Sequence, residues 1–409
     1  MSSSVTVVGG TNSSTISGVV SLPISGLSTS ETSGLQSSLT SLVTSIVGGS
    51  VGLTNYDLVT GVSTAQGASV AGAPNVLNLS NTTGNGTVNS GSAIVTAVTV
   101  AAAYGNVIAN VPGTLALVGS GSNTNFVFGS TTNVNLSTTG GNNTVLAAGG
   151  NDTLNLQGSN VATVSGGSDT VRTFTGGNTI VASGSASVFS GTPVGNAGKI
   201  DFINGSSATA TVFAGNGSAT LSAGAGGAQA IGGTAGNNSL VGGSGAVYFV
   251  GGGNGDTLTA GTNGATTVTS PNYLYASSGN ETLIASSVTG SNLLAAGSGS
   301  DVMSASGSGT QYFFGSSGSA TMTGSTMSGS NNVYFFGSAS NSGGNDVITN
   351  FGKNSELIAL NGNNIESITS TTLNGNPGAL VTLSDGTHIT LLGVNAASIS
   401  GAQSGNIIA

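Results

Sequence analysis

The chain has 409 residues, of which 71 are Gly, with 12 acids, 3 bases, one His, no Cys and no Trp. Charged residues make up 4% of the chain, against roughly 25% in an ordinary soluble domain. Three bases, Arg172, Lys199 and Lys353, cannot build the positive surface that nucleic acid or an anionic membrane requires, and zero Cys removes disulfides, thiolate metal sites and a Cys nucleophile.

Mean hydropathy is +0.27 and net charge only −9. That balance does not resemble a disordered chain, which combines low hydrophobicity with high net charge. Gly and β-branched Val, Ile and Thr between small polar residues favour strands over helices, so the expected fold class is all-β.

In chain order, Met1-Ser-Ser-Ser-Val-Thr-Val-Val-Gly-Gly has neither a basic region nor an uninterrupted apolar core, so no N-terminal signal peptide is expected. Leu35, Leu39, Leu42, Val43, Ile46 and Val47 fall on one helical face, which predicts one amphipathic helix over residues 31–47. Thr29 or Ser30 caps its start and Gly48-Gly49 ends it. Two roles are open to it: covering the first coils of the repeat that follows, or contacting another subunit. Residues 50–115 read as strands of a small β module of underivable topology, which together with the helix makes an N-terminal module over residues 1–115 with a capping or assembly role. Ala93 to Val118 is the most apolar stretch, but Thr96, Thr99, Asn106, Asn110 and Pro112 interrupt it, so no transmembrane helix is expected.

From residue 116 to 342 the chain divides into segments of about nine residues, each a short apolar-alternating run and a Gly/Ser/Asn turn, such as NNTVLAAGG, NDTLNLQGS and NVATVSGGS. A short fixed period is the signature of a solenoid. Its strands are too short to be stable alone and must be buried by the coils above and below. With two segments per coil of about 18 residues, the repeat predicts about 13 coils and, at about 4.8 Å per coil, a rod of roughly 60 Å.

GGNDTLNLQ (149–157), GGSDTVRTF (166–174), GNGDTLTAG (253–261), SGNETLIAS (278–286) and GSGSDVMSA (297–305) resemble the glycine-rich nonapeptides of repeats-in-toxin (RTX) β-rolls. In that family the Gly-rich turn and its Asp bind Ca²⁺ between coils. The resemblance implies Asp152, Asp169, Asp256, Asp301 and Asp346 as candidate Ca²⁺ ligands, with Glu281 at the matching position. Most segments carry Asn, Ser, Ala or Thr there, for example Asn143 and Asn178. A hard cation takes six to eight oxygens and usually several carboxylates, and only Asp152 and Asp169 sit near one coil spacing. The other reading places these acids in exposed turns.

From Asp346 the text changes, and residues 343–409 form a separate expected β module. ALVTLSD and THITLLGV flank Asp385-Gly386, a two-residue hairpin signal. DVITNFGKNSELIAL with VTLSDGTHITLLGV looks like the C-terminal region of type I secretion substrates of the RTX group, of the kind found in acetic-acid-type bacteria. That resemblance implies export without an N-terminal signal peptide, to the extracellular space or cell surface of a bacterium.

No constellation for catalysis emerges. His388 and Asp385 have opposite parity in an alternating strand, and no activated nucleophile accompanies them. No carboxylate pair for glycoside hydrolysis is apparent, and the many G-x-G fragments lack a strand–turn–helix context. Adjacent aromatics in Tyr248-Phe249, Tyr312-Phe313-Phe314 and Tyr334-Phe335-Phe336 must point to opposite faces of a strand. Tyr248, Tyr312, Tyr334, Phe314 and Phe336 are the candidate interface or ligand stripe, the alternative being packing inside the protein.

Together these readings predict a β-solenoid with a structural, non-enzymatic role: self-assembly into an extracellular filament, matrix or surface layer. In one arrangement the N-terminal module of each copy covers the C-terminal end of the next. The alternative is an adhesin that binds extracellular polysaccharide through the aromatic stripe. Ice binding is a weaker third, because T-x-T occurs only in scattered places such as Thr209 with Thr211.

Overall fold

A computed structural model describes residues 4–10, 16–23, 53–57, 62–65, 75–80, 95–100, 104–109, 113–119, 122–129, 132–190, 199–204, 209–261, 271–286, 290–337, 343–352, 355–399 and 406–408. The helix expected over 31–47 lies outside them. Its internal contacts divide the chain into two compact units, Met1–Ala208 and Thr209–Ala409. Both are built as parallel β-solenoids, in which each coil contributes one strand to each of two ladders.

In the first unit, Ser4–Gly10 and Ile16–Pro23 pair antiparallel. From Leu53 the strands alternate between two parallel ladders. One takes Val62–Ala65, Val95–Val100, Gly113–Gly119, Thr132–Thr138, Thr153–Leu156, Ser168–Thr173 and Ser185–Ser190. The other takes Leu53–Asp57, Asn75–Ser80, Tyr104–Ala109, Asn125–Phe128, Asn143–Ala147, Asn160–Val164, Asn178–Ala182 and Ile200–Asn204. The described strands between Leu53 and Gly119 thus feed the same ladders as the glycine-rich repeat.

Alternation along each strand sends every second side chain inward. Because partners are in register, equivalent residues stack into columns. Leu117, Leu136, Leu154, Val171 and Val188 form one, facing Val107, Phe126, Val145, Ala162, Ile180 and Phe202 in the other ladder. All eleven are buried. Each aliphatic or Phe side chain buried this way contributes about 1.5–3 kcal/mol, which a strand of four residues could not gather by itself.

The second unit repeats the plan with two longer columns. Leu221, Leu240, Leu258, Leu283, Met303, Met322, Ile348 and Leu391 align in one ladder. Val212, Ala230, Phe249, Leu274, Leu294, Phe313, Tyr334 and Ile358 align in the other. Coil length is less regular than a pair of nine-residue segments. Residues that bond across successive coils are 17 positions apart at Asp152 and Asp169, 25 at Val247 and Asn272, and 26 at Ala320 and Asp346. The repeat region therefore makes fewer and longer coils than the count of 13 expected.

At the end of this unit the ladders change direction. Asn345–Ile348 pairs in parallel with His388–Leu392, which pairs antiparallel with Asn376–Leu383, and that strand in turn with Ile365–Leu373. Ser355–Ala359 pairs antiparallel with Asn406–Ile408. The hairpin around Asp385-Gly386 is present, with a loop one residue longer than expected. Leu383 N–H donates to the Thr387 carbonyl at 2.9 Å, leaving Ser384, Asp385 and Gly386 in the loop. The tighter hairpin is the one before it, where Leu373 faces Asn376 across Asn374 (φ 51) and Gly375 (φ 80), the left-handed pair of a type I′ turn.

Candidate functional site

Two features stand out: polar columns at the coil corners, and an aromatic outer face on the second unit.

The corner columns are made by the residue that enters each strand. In one ladder of the first unit, the backbone N–H of Thr124 donates to Asn143 Oδ1 (2.9 Å), that of Asn143 to Asn160 Oδ1 (3.1 Å), and that of Asn160 to Asn178 Oδ1 (3.1 Å). The Asn160 amide also donates to the Gln157 and Gly158 carbonyls of its own turn. Each Asn thus closes its turn and caps the strand one coil earlier. In the other ladder Asp does the same: Val134 N–H donates to Asp152 Oδ1 (2.7 Å), and Asp152 N–H to Asp169 Oδ1 (3.0 Å).

The second unit carries the same device. Ala219 N–H donates to Asn238 Oδ1, Asn238 N–H to Asp256 Oδ1, Glu281 N–H to Asp301 Oδ1 and Ala320 N–H to Asp346 Oδ1, at 2.7–2.9 Å. Its other ladder holds an amide column in which Asn272 donates to Asn292 and Asn292 to Gln311, and Asn332 donates to Glu356. Stacked amides of this kind also line cross-β assemblies.

All five acids expected as Ca²⁺ ligands therefore occupy equivalent corners. The alternative placement in exposed turns is overturned, because Asp152, Asp169, Asp256, Asp301 and Asp346 are buried to 1–2% exposure. Spacing also hid a grouping. Asp256, Glu281 and Asp301 enter consecutive coils, with Thr257 facing Thr282 and Thr282 facing Val302.

These corners make a poor seat for a hard cation. One oxygen of each Asp is already taken by a backbone N–H, and both oxygens of Asp256 and Asp301 accept such bonds. Among the described residues no three His, Asp or Glu side chains converge. The second oxygens of Asp152, Asp169 and Asp346 are buried without a hydrogen-bond partner. A hard cation needs many more oxygens than such a pair supplies.

Burial dominates the acid–base behaviour. It pushes Asp152 up to about 7, against the bond from Val134 and with help from Asp169. Asp169 is pushed up to about 6, against the bond from Asp152. Asp346 rises to about 7, mainly by burial and also by Asp301. Glu281 rises to about 7 by burial and by the neighbouring Asp301, and burial raises Asp301 and Glu356 as well.

The aromatic candidates divide by parity. Tyr248, Tyr312 and Phe314 lie on the outer face, Tyr248 at 43% exposure. Tyr334 and Phe336 are buried and are removed from the stripe. The strand Asn331–Phe335 turns its even-numbered positions inward, so Tyr334 stacks on Phe313 at 5.0 Å and Phe335 faces out. The outer face also includes Tyr273 and Tyr275, whose rings lie 3° from parallel and meet Tyr248 at 6.0 and 5.4 Å. Phe314 stacks on Phe335 at 4.6 Å. In register, Tyr248, Tyr273, Leu293, Tyr312 and Val333 make one outer column, beside Val250, Tyr275, Ala295, Phe314 and Phe335. None of these ten residues is charged.

His388 Nδ1 lies 3.2 Å from Thr382 Oγ1, and Asp385 Oδ1 accepts the Thr387 N–H. Both side chains serve the hairpin. Among the described residues no helix is long and apolar enough to cross a membrane.

With the geometry established, comparison with known proteins adds no relative: no family model, curated protein or solved structure matches the chain. The fold defines the class, a parallel β-solenoid, and the corner hydrogen bonds define how its coils are joined.

Proposed function

We propose that this protein is a secreted, non-enzymatic structural protein that self-assembles into an extracellular filament, matrix or surface layer. The observation that carries this reading is the strand Ile365–Leu373. It is nine residues long, mostly exposed, rich in Ile and Thr, free of Pro, and among the described residues pairs along one edge. An unpaired edge with a single charge, Glu366, is a template for another strand. A second copy that pairs there through a different edge, such as its Leu53–Asp57 strand, which among the described residues pairs along one side, joins head-to-tail, and because the two joined surfaces then differ the contact propagates. The likeness of the GGNDTLNLQ and GGSDTVRTF turns to RTX repeats, and of the C-terminal module to type I secretion substrates, supports export to the cell surface or beyond.

Negative-stain electron microscopy of the purified chain over a concentration series, with and without Ca²⁺, tests this. Wild type is expected to form ordered filaments or sheets. Ser367→Lys with Thr369→Lys, both at exposed positions of the edge strand, is expected to abolish them while the circular dichroism stays β. Particles that remain single at every concentration would overturn the proposal.

A second reading is favoured by one observation, the cluster of Tyr248, Tyr273 and Tyr275 on the outer face. Aromatic rings backed by a rigid sheet suit stacking on sugar rings, and contiguous apolar surface marks interfaces. It predicts saturable binding to an extracellular polysaccharide, lost on Tyr273→Ala.

A further inference from the structure

In the second unit, the ladder that runs from Leu221 to Ile348 turns two side chains outward around each buried residue, one before it and one after. They form two outer columns, from Thr220 to Val347 and from Ser222 to Thr349, and every member of both is Thr, Ser, Val or Ile. Thr257 with Thr259 and Thr321 with Thr323 are complete T-x-T pairs, and all four are partly exposed. The hydroxyls of Thr323 and Thr349 meet across adjacent coils at 2.8 Å.

The sequence hides this ladder because coil length varies. The residues that enter its strands are 18 positions apart at Asn238 and Asp256, 20 at Glu281 and Asp301, and 26 at Ala320 and Asp346. The T-x-T pairs that look scattered along the chain are thus gathered in register. Neither column holds a charge, and Asp256, Glu281, Asp301 and Asp346, which enter these strands, are turned inward to 1–2% exposure. The other ladder of the same coils puts Tyr248, Tyr273, Tyr275, Tyr312, Phe314 and Phe335 on its outer face. The restriction to small hydroxyl and β-branched side chains therefore belongs to one face and not to the repeat as a whole.

We propose that this face binds ice, its ligand being the water lattice at a crystal surface. A column in a parallel ladder repeats at about 4.7–4.9 Å, and the two outward positions of one strand stand about 6.5–7 Å apart. The column repeat is close to an oxygen repeat of the ice lattice. Side chains branched at Cβ are stiff at χ1, so the Thr hydroxyls and the methyls of Thr and Val stand at repeated positions above a packed core. The hydroxyls anchor a row of waters at little cost, since a bridging water bonds nearly as well as a direct partner. The methyls between them leave those waters to bond to one another, as they do in the crystal. A Lys head, with a strong hydration shell of its own, would break the row, and an aromatic ring would lift the lattice from the sheet. The face acts without a second copy, so this inference stands apart from self-assembly.

Ice partition of the full chain tests it: a dilute solution is frozen slowly onto a cold finger with serum albumin as the excluded reference, and protein in ice and liquid is quantified. Wild type is expected to be enriched in the ice over albumin and to show thermal hysteresis in an osmometer. In Thr259→Tyr with Thr323→Tyr the partition is expected to fall to that of albumin while the circular dichroism stays β. Tyr273→Ala, on the other ladder, is expected to keep the wild-type partition. Exclusion of wild type like albumin, or an equal loss in Tyr273→Ala, would overturn the proposal. So would a tyrosine variant that loses self-association in electron microscopy but keeps its ice partition, since the face would then belong to a second copy. Should the tyrosine variant not fold, Thr259→Ser with Thr323→Ser, which trims only the two methyls, decides: a weakened partition supports ice binding and an unchanged one refutes it.

Discussion

Asn160 meets Asn178 twice: its backbone N–H and its Nδ2 both lie 3.1 Å from Asn178 Oδ1, across one coil of 18 residues. Asn178 in turn donates to the Thr175 and Gly176 carbonyls of its own turn. One small amide thus joins two coils and closes a corner, which explains why Asn and Asp recur just before many of the apolar runs.

Asn178→Ala is therefore expected to leave the buried Asn160 N–H without an acceptor, at a cost of about 1–3 kcal/mol. Asn178→Asp keeps the acceptor but loses both donors to the turn. It should be milder at acidic pH and worsen as pH rises. Urea unfolding of the two variants at acidic and alkaline pH checks both the size and the order.

Tyr334 and Tyr312 are neighbours in sequence type but opposite in role. Tyr334→Ala removes a fully buried ring stacked on Phe313 and is expected to lose about 3–5 kcal/mol of stability. Tyr312→Ala trims the outer face and should leave stability nearly unchanged while weakening whichever association uses that face. Thermal unfolding run beside a pelleting assay separates the two.

Gly167 sits where adjacent coils touch. A Cβ there would run into the Gly150 carbonyl, and its φ of 43 is in the left-handed region. Gly167→Ala is expected to force the coils apart and destabilise the first unit, by more than the roughly 1 kcal/mol ordinary for glycine replacement. Gly177, whose Cβ would meet nothing within 4 Å, is the control: Gly177→Ala should be near neutral by chemical denaturation.

The second unit has its own pH dependence. Glu281 and Asp346 both titrate near 7 because they are buried beside Asp301. Their neutral forms favour folding, so the stabilisation is present below about pH 4 and is lost as pH rises through 7. Calorimetry is expected to show a falling transition temperature between pH 5 and pH 8, less steep in Glu281→Gln. A transition that rises over that interval would contradict the assignment.

Much of this architecture was legible in the primary text. A short period of apolar runs and glycine turns dictates a solenoid, because no such strand can bury enough by itself. Strict alternation in the Tyr-Phe clusters fixes that adjacent rings face opposite ways, and Asp385-Gly386 marks a hairpin. Asn374-Gly375 carries an equally clear turn signal, set between weakly apolar strands.

Which ring of each cluster is inside was decided by three-dimensional register, since parity alone is symmetric: Tyr334 is core and Phe335 is surface because Phe313 and Ile358 align with the former. Coil length was likewise hidden, and with it the stacking of Asp256, Glu281 and Asp301, because loops of different length can return a strand to the same ladder position. The burial of the corner acids follows from that stacking. An Asp in a glycine-rich turn reads as exposed until a neighbouring coil presents a backbone N–H that needs an acceptor, and only the tertiary structure supplies that neighbour.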